Sequence, residues 1–452
     1  MSLKPYPKYK DSGVEWLGDV PEDWVVGKLA YFCKLKGGFA FSATEFGIEG
    51  IPVVRMNNLK RGHLELAEAV CVSEKSASTN FALAVGDIVW GMSGSIGDTG
   101  SLGNYARVRL ADLPCQLNQR VGKFILDQKM VHDDYFEKVI QSKYFYDQIL
   151  LLVTGTAQSN VSSEQVQSCI ILRPSLDEQS AIATFLDHEA SKIDALIAEQ
   201  EKLITLLAEK RQATISHAVT KGLNPDVKMK DSGVEWLGEV PEGWEIMRLK
   251  HVGSFKAGAG FPHDEQGIEG EALDFHKVNA LGQAGPDGYI LPSENTISRE
   301  TALRLGASEF PENTIIFAKI GAALLLGRIR LLKQSACLDN NLMGLIVSCD
   351  HSVHFVCFWM SLVRFDLLAN PGTVPSLNEP QIANVRIAVP SFEEQIKVVE
   401  FLRRELAKLD TLIAEADHVI DLLKERRTAL ISAAVTGKID VRAVVQAEQV
   451  AA

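Results

Sequence analysis

Residues 10–24 read KDSGVEWLGDVPEDW, and residues 230–244 read KDSGVEWLGEVPEGW. Thirteen of these fifteen positions are identical at an offset of 220 residues, which indicates an internal duplication. A second matching pair, PSLDEQ at residues 174–179 and PSFEEQ at residues 390–395, lies at an offset of 216. We therefore interpret the chain as two tandem copies. Each copy consists of a short tryptophan-rich lead, a variable body and a long helix.

The two bodies have diverged much more than the segments around them. In each, short β-branched and apolar runs alternate with Gly, Asn and Ser clusters, which predicts a compact, mostly-β unit with long loops. One helix is predicted near residues 133–151 and its counterpart near residues 353–368. Two landmarks survive between the bodies: RMNNL at 55–59 aligns with KVNAL at 277–281, and CQLNQ at 115–119 aligns with CLDNN at 337–341. A chain that keeps its frame and varies its bodies uses one scaffold to present two different surfaces.

A coiled-coil pattern follows each body. Seam residues recur at alternating spacings of four and three, which predicts helices of about 40 residues and about 60 Å. The first seam comprises Leu186, Ala190, Ile193, Ile197, Gln200, Ile204, Leu207, Arg211, Thr214 and Ala218, and the second Leu402, Leu406, Leu409, Ile413, Ala416, Ile420, Leu423, Arg427, Leu430 and Ala434. Four further residues are expected to widen the buried stripe: Leu196, Leu203, Leu412 and Val419. Gly222 and Gly437 are predicted to end the helices.

Neither long helix can stay single, because each has one apolar stripe to bury. The symmetric repeat favours an internal antiparallel pair, although a parallel pair or a second chain would also bury the stripes. The predicted fold class is therefore α+β, with two mostly-β domains separated by two long antiparallel coiled-coil helices in an internal pseudo-two-fold repeat. The predicted segments are 1–24 (first lead), 25–175 (first domain), 176–222 (central long helix), 223–244 (second lead), 245–391 (second domain), 392–438 (distal long helix) and 439–452 (tail).

Composition excludes several classes of protein. The chain has 452 residues, of which 46% are hydrophobic and 23% charged, so it is neither mostly disordered nor fibrous. A formal net charge of −12 excludes a protein that coats DNA through uniform basicity. The first residues lack the apolar core of a signal peptide, and the longest apolar-looking stretch is too short to span a membrane. Seven cysteines without a CxxC pair favour a reducing cytoplasm.

Basic and amide side chains cluster on predicted loops of the two bodies. Such side chains can contact phosphates and base edges, since Arg fits guanine and Asn or Gln fits adenine. The candidate DNA-binding residues are Arg55, Asn57, Asn58, Lys60, Arg61, Ser93, Ser95 and Gln158 in the first body, and Lys277, Asn279, Lys319, Arg328, Arg330 and Asn340 in the second. For Asn57, Asn58 and Asn340 the alternative is a buried amide that satisfies the β scaffold.

Motifs for catalysis, metal binding and cofactor binding are not recognised. The glycine-rich run at residues 94–100 lacks the GK[ST] ending of a P-loop, and no GxSxG elbow or NPP[FY] methyltransferase loop occurs. His351 and His354 lie near Cys349 and Cys357, but this group begins an apolar helix and is not expected to hold a metal. Other residues are predicted to pack in the core or anchor the leads: Cys115, Cys337, Trp16, Trp24, Trp236 and Trp244.

The doubled KDSGxEWLGxxPExW lead, the PSxxEQ helix start and the IDALIAEQ and LDTLIAEA segments resemble the specificity subunit of type I restriction–modification systems. The resemblance covers nearly the whole chain. It implies that each body is a target recognition domain for one half of a split DNA sequence, and that the helices form the spacer. It also implies that the frame docks two adenine-N6 methyltransferase subunits, which use S-adenosylmethionine, and that restriction subunits can join. The specificity subunit itself is expected to be non-catalytic and to take no cofactor.

Two other functions stay open at this point. A stand-alone DNA-modifying enzyme would need a methyl-donor or nuclease motif. A coiled-coil structural adaptor would use the helices without contacting DNA.

Overall fold

A computed structural model describes residues 4–97, 100–154, 159–285 and 287–444. The chain divides into two compact units, which we call unit 1 (Met1–Gln200 with His418–Ala452) and unit 2 (Glu201–Asp417). Because both boundaries fall inside long helices, each unit contains one lead, one body and a part of each long helix.

The α-helices of the described residues are α1 (Asp133–Gln141), α2 (Lys143–Leu152), α3 (Ser163–Gln167), α4 (Leu176–Lys221), α5 (Arg299–Leu305), α6 (Ala322–Leu325), α7 (Val353–Met360), α8 (Phe365–Leu368), α9 (Glu379–Ala383) and α10 (Phe392–Val435). The single helix expected near residues 133–151 is two helices. Ser142 separates them, because its extended backbone ends α1 while its side chain accepts from Phe145 N and caps α2.

The strands of unit 1 are β1 (Tyr9–Asp11), β2 (Asp19–Pro21), β3 (Val25–Lys28), β4 (Cys33–Gly37), β5 (Ile51–Val54), β6 (Leu59–Lys60), β7 (His63–Leu64), β8 (Cys71–Val72), β9 (Ile88–Gly91), β10 (Ser93–Gly94), β11 (Tyr105–Arg107), β12 (Gln116–Leu117), β13 (Val121–Leu126), β14 (Ser159–Asn160) and β15 (Ile170–Arg173). Those of unit 2 are β16 (Met229–Asp231), β17 (Glu239–Pro241), β18 (Glu245–Arg248), β19 (Gly253–Ala257), β20 (Leu273–His276), β21 (Thr296–Ile297), β22 (Ile315–Ala318), β23 (Ile329–Leu331), β24 (Ala336–Leu338), β25 (Leu342–Val347) and β26 (Arg386–Val389).

Corresponding strands form corresponding sheets in the two units. A four-stranded sheet has the order β11-β9-β13-β4 in unit 1 and β19-β25-β22-β23 in unit 2. A three-stranded sheet has the order β12-β5-β8 in unit 1 and β21-β20-β24 in unit 2. Trp90 and Phe136 belong to the core of the first body, and Phe317 and Trp359 to that of the second. Mixed helix and strand content and the repeated sheets confirm the predicted α+β class and the internal repeat.

The leads form matching hairpins, β1 with β2 and β16 with β17. Trp24 and Trp244 are 1% and 2% exposed, as expected of packing anchors. The same expectation is wrong for Trp16 and Trp236, which are 57% and 55% exposed. Each lies in a hairpin loop and meets one aromatic ring, Trp16 at 5.7 Å from Tyr144 and Trp236 at 5.2 Å from Trp359.

The long helices α4 and α10 pack together along the predicted seam, whose positions are all buried or partly buried. In unit 1 the N-terminal part of α4 packs with the C-terminal part of α10. In unit 2 the C-terminal part of α4 packs with the N-terminal part of α10. The helices are therefore antiparallel, as predicted. The same ion pair occurs in each unit: Arg427 Nη1 to Asp194 Oδ1 (2.7 Å) in unit 1, and Arg211 Nε to Asp410 Oδ1 (3.2 Å) in unit 2.

The expectation of a wider buried stripe is wrong. Leu196, Leu203, Leu412 and Val419 are 44%, 42%, 46% and 38% exposed. A pair of helices buries a narrow seam in each partner, so residues outside the four-three positions face away from the partner helix.

A buried glutamine joins each long helix to the body of its unit. In unit 1, Gln179 Oε1 accepts from His132 N (2.9 Å), and Gln179 Nε2 donates to Met130 O (2.9 Å) and Pro174 O (3.0 Å). In unit 2, Gln395 accepts from Ser352 N (2.8 Å) and donates to Pro390 O (3.0 Å). The glutamine of the repeated PSxxEQ segment thus fixes the start of the long helix against the start of α1 or α7.

Replacing Gln179 with Ala is expected to lower the free energy of unfolding by about 2–3 kcal/mol, because it leaves buried backbone groups without partners. Chemical denaturation followed by circular dichroism measures this change. Gln212→Ala, at an exposed position of the same helix, is the control and should change stability by under about 0.5 kcal/mol. Equal stability of the two variants would contradict the role of Gln179.

Candidate nucleic-acid interfaces

Several loops meet at one edge of the unit 1 body. β5 and β12 are parallel neighbours, so the residues that follow them leave the sheet side by side. Asn118 N donates to Val54 O (3.1 Å), which sets the turn after β12 beside the segment that begins at Arg55. Phe39 N donates to Leu117 O (2.8 Å), and Met92 N donates to Arg120 O (3.0 Å). We call this edge, formed by segments 38–39, 55–57, 92–95 and 118–120, reading edge 1.

Four of the candidate residues lie at reading edge 1. Asn57 and Ser95 are exposed there. Arg55 is partly buried, with its guanidinium 5.5 Å from the centre of the Phe46 ring. Ser93 is buried in β10. Neither Arg55 Nε nor Ser93 Oγ has a hydrogen-bond partner among the described residues. Gln158 lies outside the described residues.

The other three candidates of unit 1 are placed differently. Asn58 is 4% exposed, and its side chain accepts from Arg55 N (3.0 Å) and donates to Glu65 O (3.0 Å). The Asn58 side chain therefore shapes the loop by hydrogen bonding to backbone groups, which agrees with the alternative of a buried amide that satisfies the scaffold. Lys60 pairs with Glu65 at 3.3 Å, and Lys60 and Arg61 lie next to Gly62, whose N–H donates to Tyr105 O in β11.

Unit 2 builds the same edge from different residues. β20 and β24 are parallel neighbours, and Asp339 N donates to His276 O (2.9 Å). Ala259 N donates to Leu338 O (2.9 Å), and Lys319 N donates to Asn341 O (2.8 Å). We call this edge, formed by segments 258–259, 277–279, 319–321 and 339–341, reading edge 2.

Most candidates of unit 2 lie at or beside reading edge 2. Asn279 and Asn340 are exposed at reading edge 2, and Lys319 is partly buried there. Lys277 Nζ donates to Gln266 Oε1 (2.8 Å). In the β22–β23 pair, Ile329 lies opposite Phe317, so Arg328 leaves the sheet at the same end as Lys319. Arg330 lies two residues after Arg328 in β23, the strand against which α7 packs.

Sequence reasoning missed two residues of reading edge 1, Arg120 and Phe39. Arg120 Nη1 donates to Asn160 Oδ1 (2.6 Å), which links the turn after β12 to β14 across reading edge 1. Phe39 is 41% exposed beside Asn118. The signal was present in the CQLNQ and CLDNN landmarks, which mark the turns after β12 and β24. Those turns become part of an edge only through parallel pairing with distant strands.

The groups beneath the edges are held in neutral forms. Burial lowers the pKa of His276 to about 4, and the negative charge of Asp274, which acts to raise it, is the smaller effect. This imidazole is therefore neutral at neutral pH. Burial raises the pKa of Cys115 to about 12 and that of Cys337 to about 11, so both thiols stay protonated in the core. Within the described ranges, no three His, Cys, Asp or Glu side chains are close enough to hold a metal ion.

No helix in the described part of the chain is long and apolar enough to cross a membrane.

Two regions of the chain, residues 21–206 and 241–416, match the family model described as type I restriction modification DNA specificity domain. The type I restriction enzyme EcoBI specificity subunit of Escherichia coli is 21% identical over 447 residues, which cover 95% of this chain and 89% of that protein. The StySPI specificity subunit of Salmonella potsdam is 20% identical over 444 residues, covering 93% and 90%.

Solved structures share the fold. A chain from a structure on complex assembly and conformational transition of the type I R-M system has a TM-score of 0.70 at 15% identity, covering 93% of this chain and 99% of that one. The HsdS subunit from Thermoanaerobacter tengcongensis has a TM-score of 0.53 at 15% identity, covering 93% and 98%.

Proposed function

This chain belongs to the type I restriction modification DNA specificity family, and from that premise we propose that it reads an asymmetric, bipartite DNA target for a restriction–modification complex. It is the specificity subunit, whose partners carry the catalysis. Residues 25–175 and 245–391 are the two target recognition domains, and residues 176–222 and 392–438 form the spacer. The protein acts on DNA in the cytoplasm and needs no cofactor of its own.

The observation that carries this proposal is the duplicated reading edge. One backbone arrangement, two parallel strand ends with flanking loops, presents Arg55, Asn57 and Arg120 in unit 1. The same arrangement presents Lys319 and Asn340 in unit 2. Different donors and acceptors select different base pairs in the major groove, so two unlike edges read two unlike half-sites.

Mapping methylated adenines across a genome tests this function. The chain is co-expressed with its cognate methyltransferase subunits, and the expected product is an interrupted, asymmetric motif. A continuous or symmetric motif would contradict two separate readers. Purified chain alone, incubated with labelled S-adenosylmethionine and DNA, is expected to transfer no methyl group, whereas transfer would favour a stand-alone modifying enzyme.

Exposed apolar side chains support the docking of two copies of one partner. Trp16 and Trp236 are retained at an offset of 220 although more than half of each side chain is exposed. Three exposed positions of α4 recur in α10 at an offset of 216: Leu196 and Leu412, Leu203 and Val419, and Leu206 and Leu422. None of these side chains belongs to the buried cores found in the described parts of the two units. Their retention in both copies is explained by partner surfaces that repeat as the frame does.

The surroundings of Trp16 suit such a partner. A groove of about 640 Å³ lies beside it in unit 1, lined also by Tyr144 and Leu151, by Ser432 near the end of α10 and by Lys438 just after that helix. Leu151 is 87% exposed. We propose that a methyltransferase subunit covers this groove, that a second copy covers the surface around Trp236, and that restriction subunits join the resulting complex.

The double variant Trp16→Ala with Trp236→Ala is expected to weaken the binding of the cognate methyltransferase subunit at least about tenfold, since exposed tryptophans often dominate interface energy. Isothermal titration calorimetry measures this affinity. Tyr31→Ala is the matched control: Tyr31 is 68% exposed in unit 1, but the aligned residue of the second copy is His251. Unchanged affinity in the double variant would place the docking surface elsewhere.

A further inference from the structure

Unit 2 carries a group of cations that form no ion pair with an acid in the described part of the chain. We call Arg328, Arg330 and Arg403, with the neighbouring His354, the arginine cluster. Arg328 and Arg403 are exposed, and Arg330 is partly buried, with no described residue as a hydrogen-bond partner for its Nε. Among the described residues, the ion pairs of unit 2 engage other arginines: Arg211, Arg299, Arg304, Arg364 and Arg404.

The arginine cluster begins at reading edge 2. Arg328 leaves β23 at the end where Lys319 leaves β22. It also lies beside the loop that carries Asn279, because a Cβ on Gly282 would be 3.2 Å from Arg328 Nη1. The first cation of the cluster is therefore continuous with the surface proposed to read bases.

From there the cluster runs across the body to α10. α7 packs on β23. The centre of the His354 ring of α7 lies 6.3 Å from that of the Tyr289 ring. The backbone of Tyr289 forms a parallel bridge with Leu331 of β23. Arg403 lies near both rings: together with burial, its charge lowers the pKa of His354. Two carboxylates, Asp287 and Glu312, also act on Tyr289, and Asp287 Oδ1 accepts from Tyr289 N (3.2 Å).

Unit 1 neutralises the corresponding place. There Arg107 pairs with Asp134 (2.6 Å) and Glu137 (3.2 Å), and Lys138 pairs with Asp187. The N-termini of α1 and α7 are equivalent, because His132 and Ser352 donate to the same glutamine of the long helix. At the resulting offsets, the three acids of unit 1 are replaced in unit 2: Asp134 by His354, Glu137 by Cys357 and Asp187 by Arg403.

Uncompensated cations at this density raise the energy of the folded state. Burial and the charge of Arg328 lower the pKa of Arg330, which reports the same unfavourable surroundings. A bound anion relieves both effects, and the planar guanidinium fork suits phosphate oxygens. The body as a whole does not attract anions, since residues 245–388 carry 12 Lys and Arg, with Arg328 and Arg330 among them, against 15 Asp and Glu.

We propose that Arg328, Arg330 and Arg403 form a track for DNA phosphates beside the half-site read by unit 2, a contact that unit 1 lacks. This proposal rests on the proposed function. Phosphate contacts add affinity without sequence information. The second half-site is thus held partly by its flanking backbone, and the first depends more on its base contacts.

Salt dependence of DNA binding tests the track. The complex of this chain with its cognate methyltransferase subunits is titrated with a duplex containing the mapped target at several salt concentrations. Arg328→Gln with Arg403→Gln, both at exposed positions, is expected to lower the slope of log affinity against log salt by about two, and Arg403→Gln alone by about one. In Arg403→Gln alone the methylated motif stays unchanged, because Arg403 lies on α10 and not at reading edge 2. Arg404→Gln is the control, because Arg404 is the next residue of α10 and pairs with Glu405 at 3.3 Å.

A shortened duplex locates the contact. Trimming the flank beside the second half-site should lower the slope of log affinity against log salt by about two for the wild-type complex. The slope of the double-variant complex should not change on trimming. Specific binding with an unaltered slope in the double variant would overturn the track. The track would also be overturned if the double variant lost the methyltransferase subunit but kept the wild-type salt slope, since the cluster would then contact a protein. Absence of specific binding by the wild-type complex would overturn the proposed function as well.

Discussion

Replacing Trp24 with alanine is expected to lower the free energy of unfolding of unit 1 by about 3–5 kcal/mol, the usual cost of truncating a fully buried tryptophan. Trp24 is 1% exposed, and its ring lies 5.7 Å from that of Tyr6 at an angle of 73°. It also packs at the end of α10, where a Cβ on Gly437 would be 3.3 Å from the indole and 2.4 Å from Pro21. Loss of the indole therefore leaves a cavity where the first lead packs against the end of α10.

Trp16→Ala is the matched control for this prediction. It makes the same chemical change in the same lead, but Trp16 is 57% exposed and leaves little cavity. We expect a stability change under about 0.5 kcal/mol. Urea denaturation followed by far-ultraviolet circular dichroism compares the variants. Equal losses in both would show that burial in the lead does not control the stability of unit 1.

Gly258→Ala is expected to abolish reading by unit 2 while unit 1 still reads its own half-site. An added Cβ at Gly258 would lie 2.0 Å from Asp339 O and 2.4 Å from Leu338 O. These are backbone atoms of the turn that carries Asn340, so the turn must move out of reading edge 2. A displacement of this kind removes the base contacts of one half-site, and we expect about a 100-fold loss of affinity for the full target.

The methylated motif of the variant complex measures this effect directly. The half read by unit 1 should persist, and the half read by unit 2 should become degenerate. Gly260→Ala is the control, because a Cβ at that position meets nothing within 4 Å. Gly38→Ala is the complementary variant in unit 1, since its Cβ would lie 2.3 Å from Leu117 O. It should make the half of the motif read by unit 1 degenerate and leave the other half unchanged. A motif in which both halves change in Gly258→Ala would contradict separate readers.

Much of the frame could be predicted because its signals are local. The four-three seam, Gly222 and Gly437 specify the long helices through contacts made within a few residues or along one helix face. Both glycines adopt positive φ, at 76° and 70°, as helix stops do. The near identity of the leads likewise predicted a duplicated frame, and both leads form hairpins, whose turns depend on their own residues.

The reading edges could be predicted only in part. Arg55, Asn57 and Lys319 were identified as polar residues on loops, but Arg120 and Phe39 were not. Whether a loop residue joins an edge depends on which distant strands pair in parallel, and periodicity within a segment carries no information about that pairing.

The sequence by itself determined that this chain is a duplicated frame with two unlike bodies and two long helices, because identity between copies and heptad spacing are properties of the chain. Only the tertiary structure decided which side chains face outward: Trp16 rather than Trp24, Leu196 outside the seam. It also decided that Asp187 is paired with Lys138, whereas Arg403 at the equivalent position has no ion pair among the described residues. Exposure and charge compensation depend on neighbours brought together from far along the chain, and those neighbours exist only once the chain has folded.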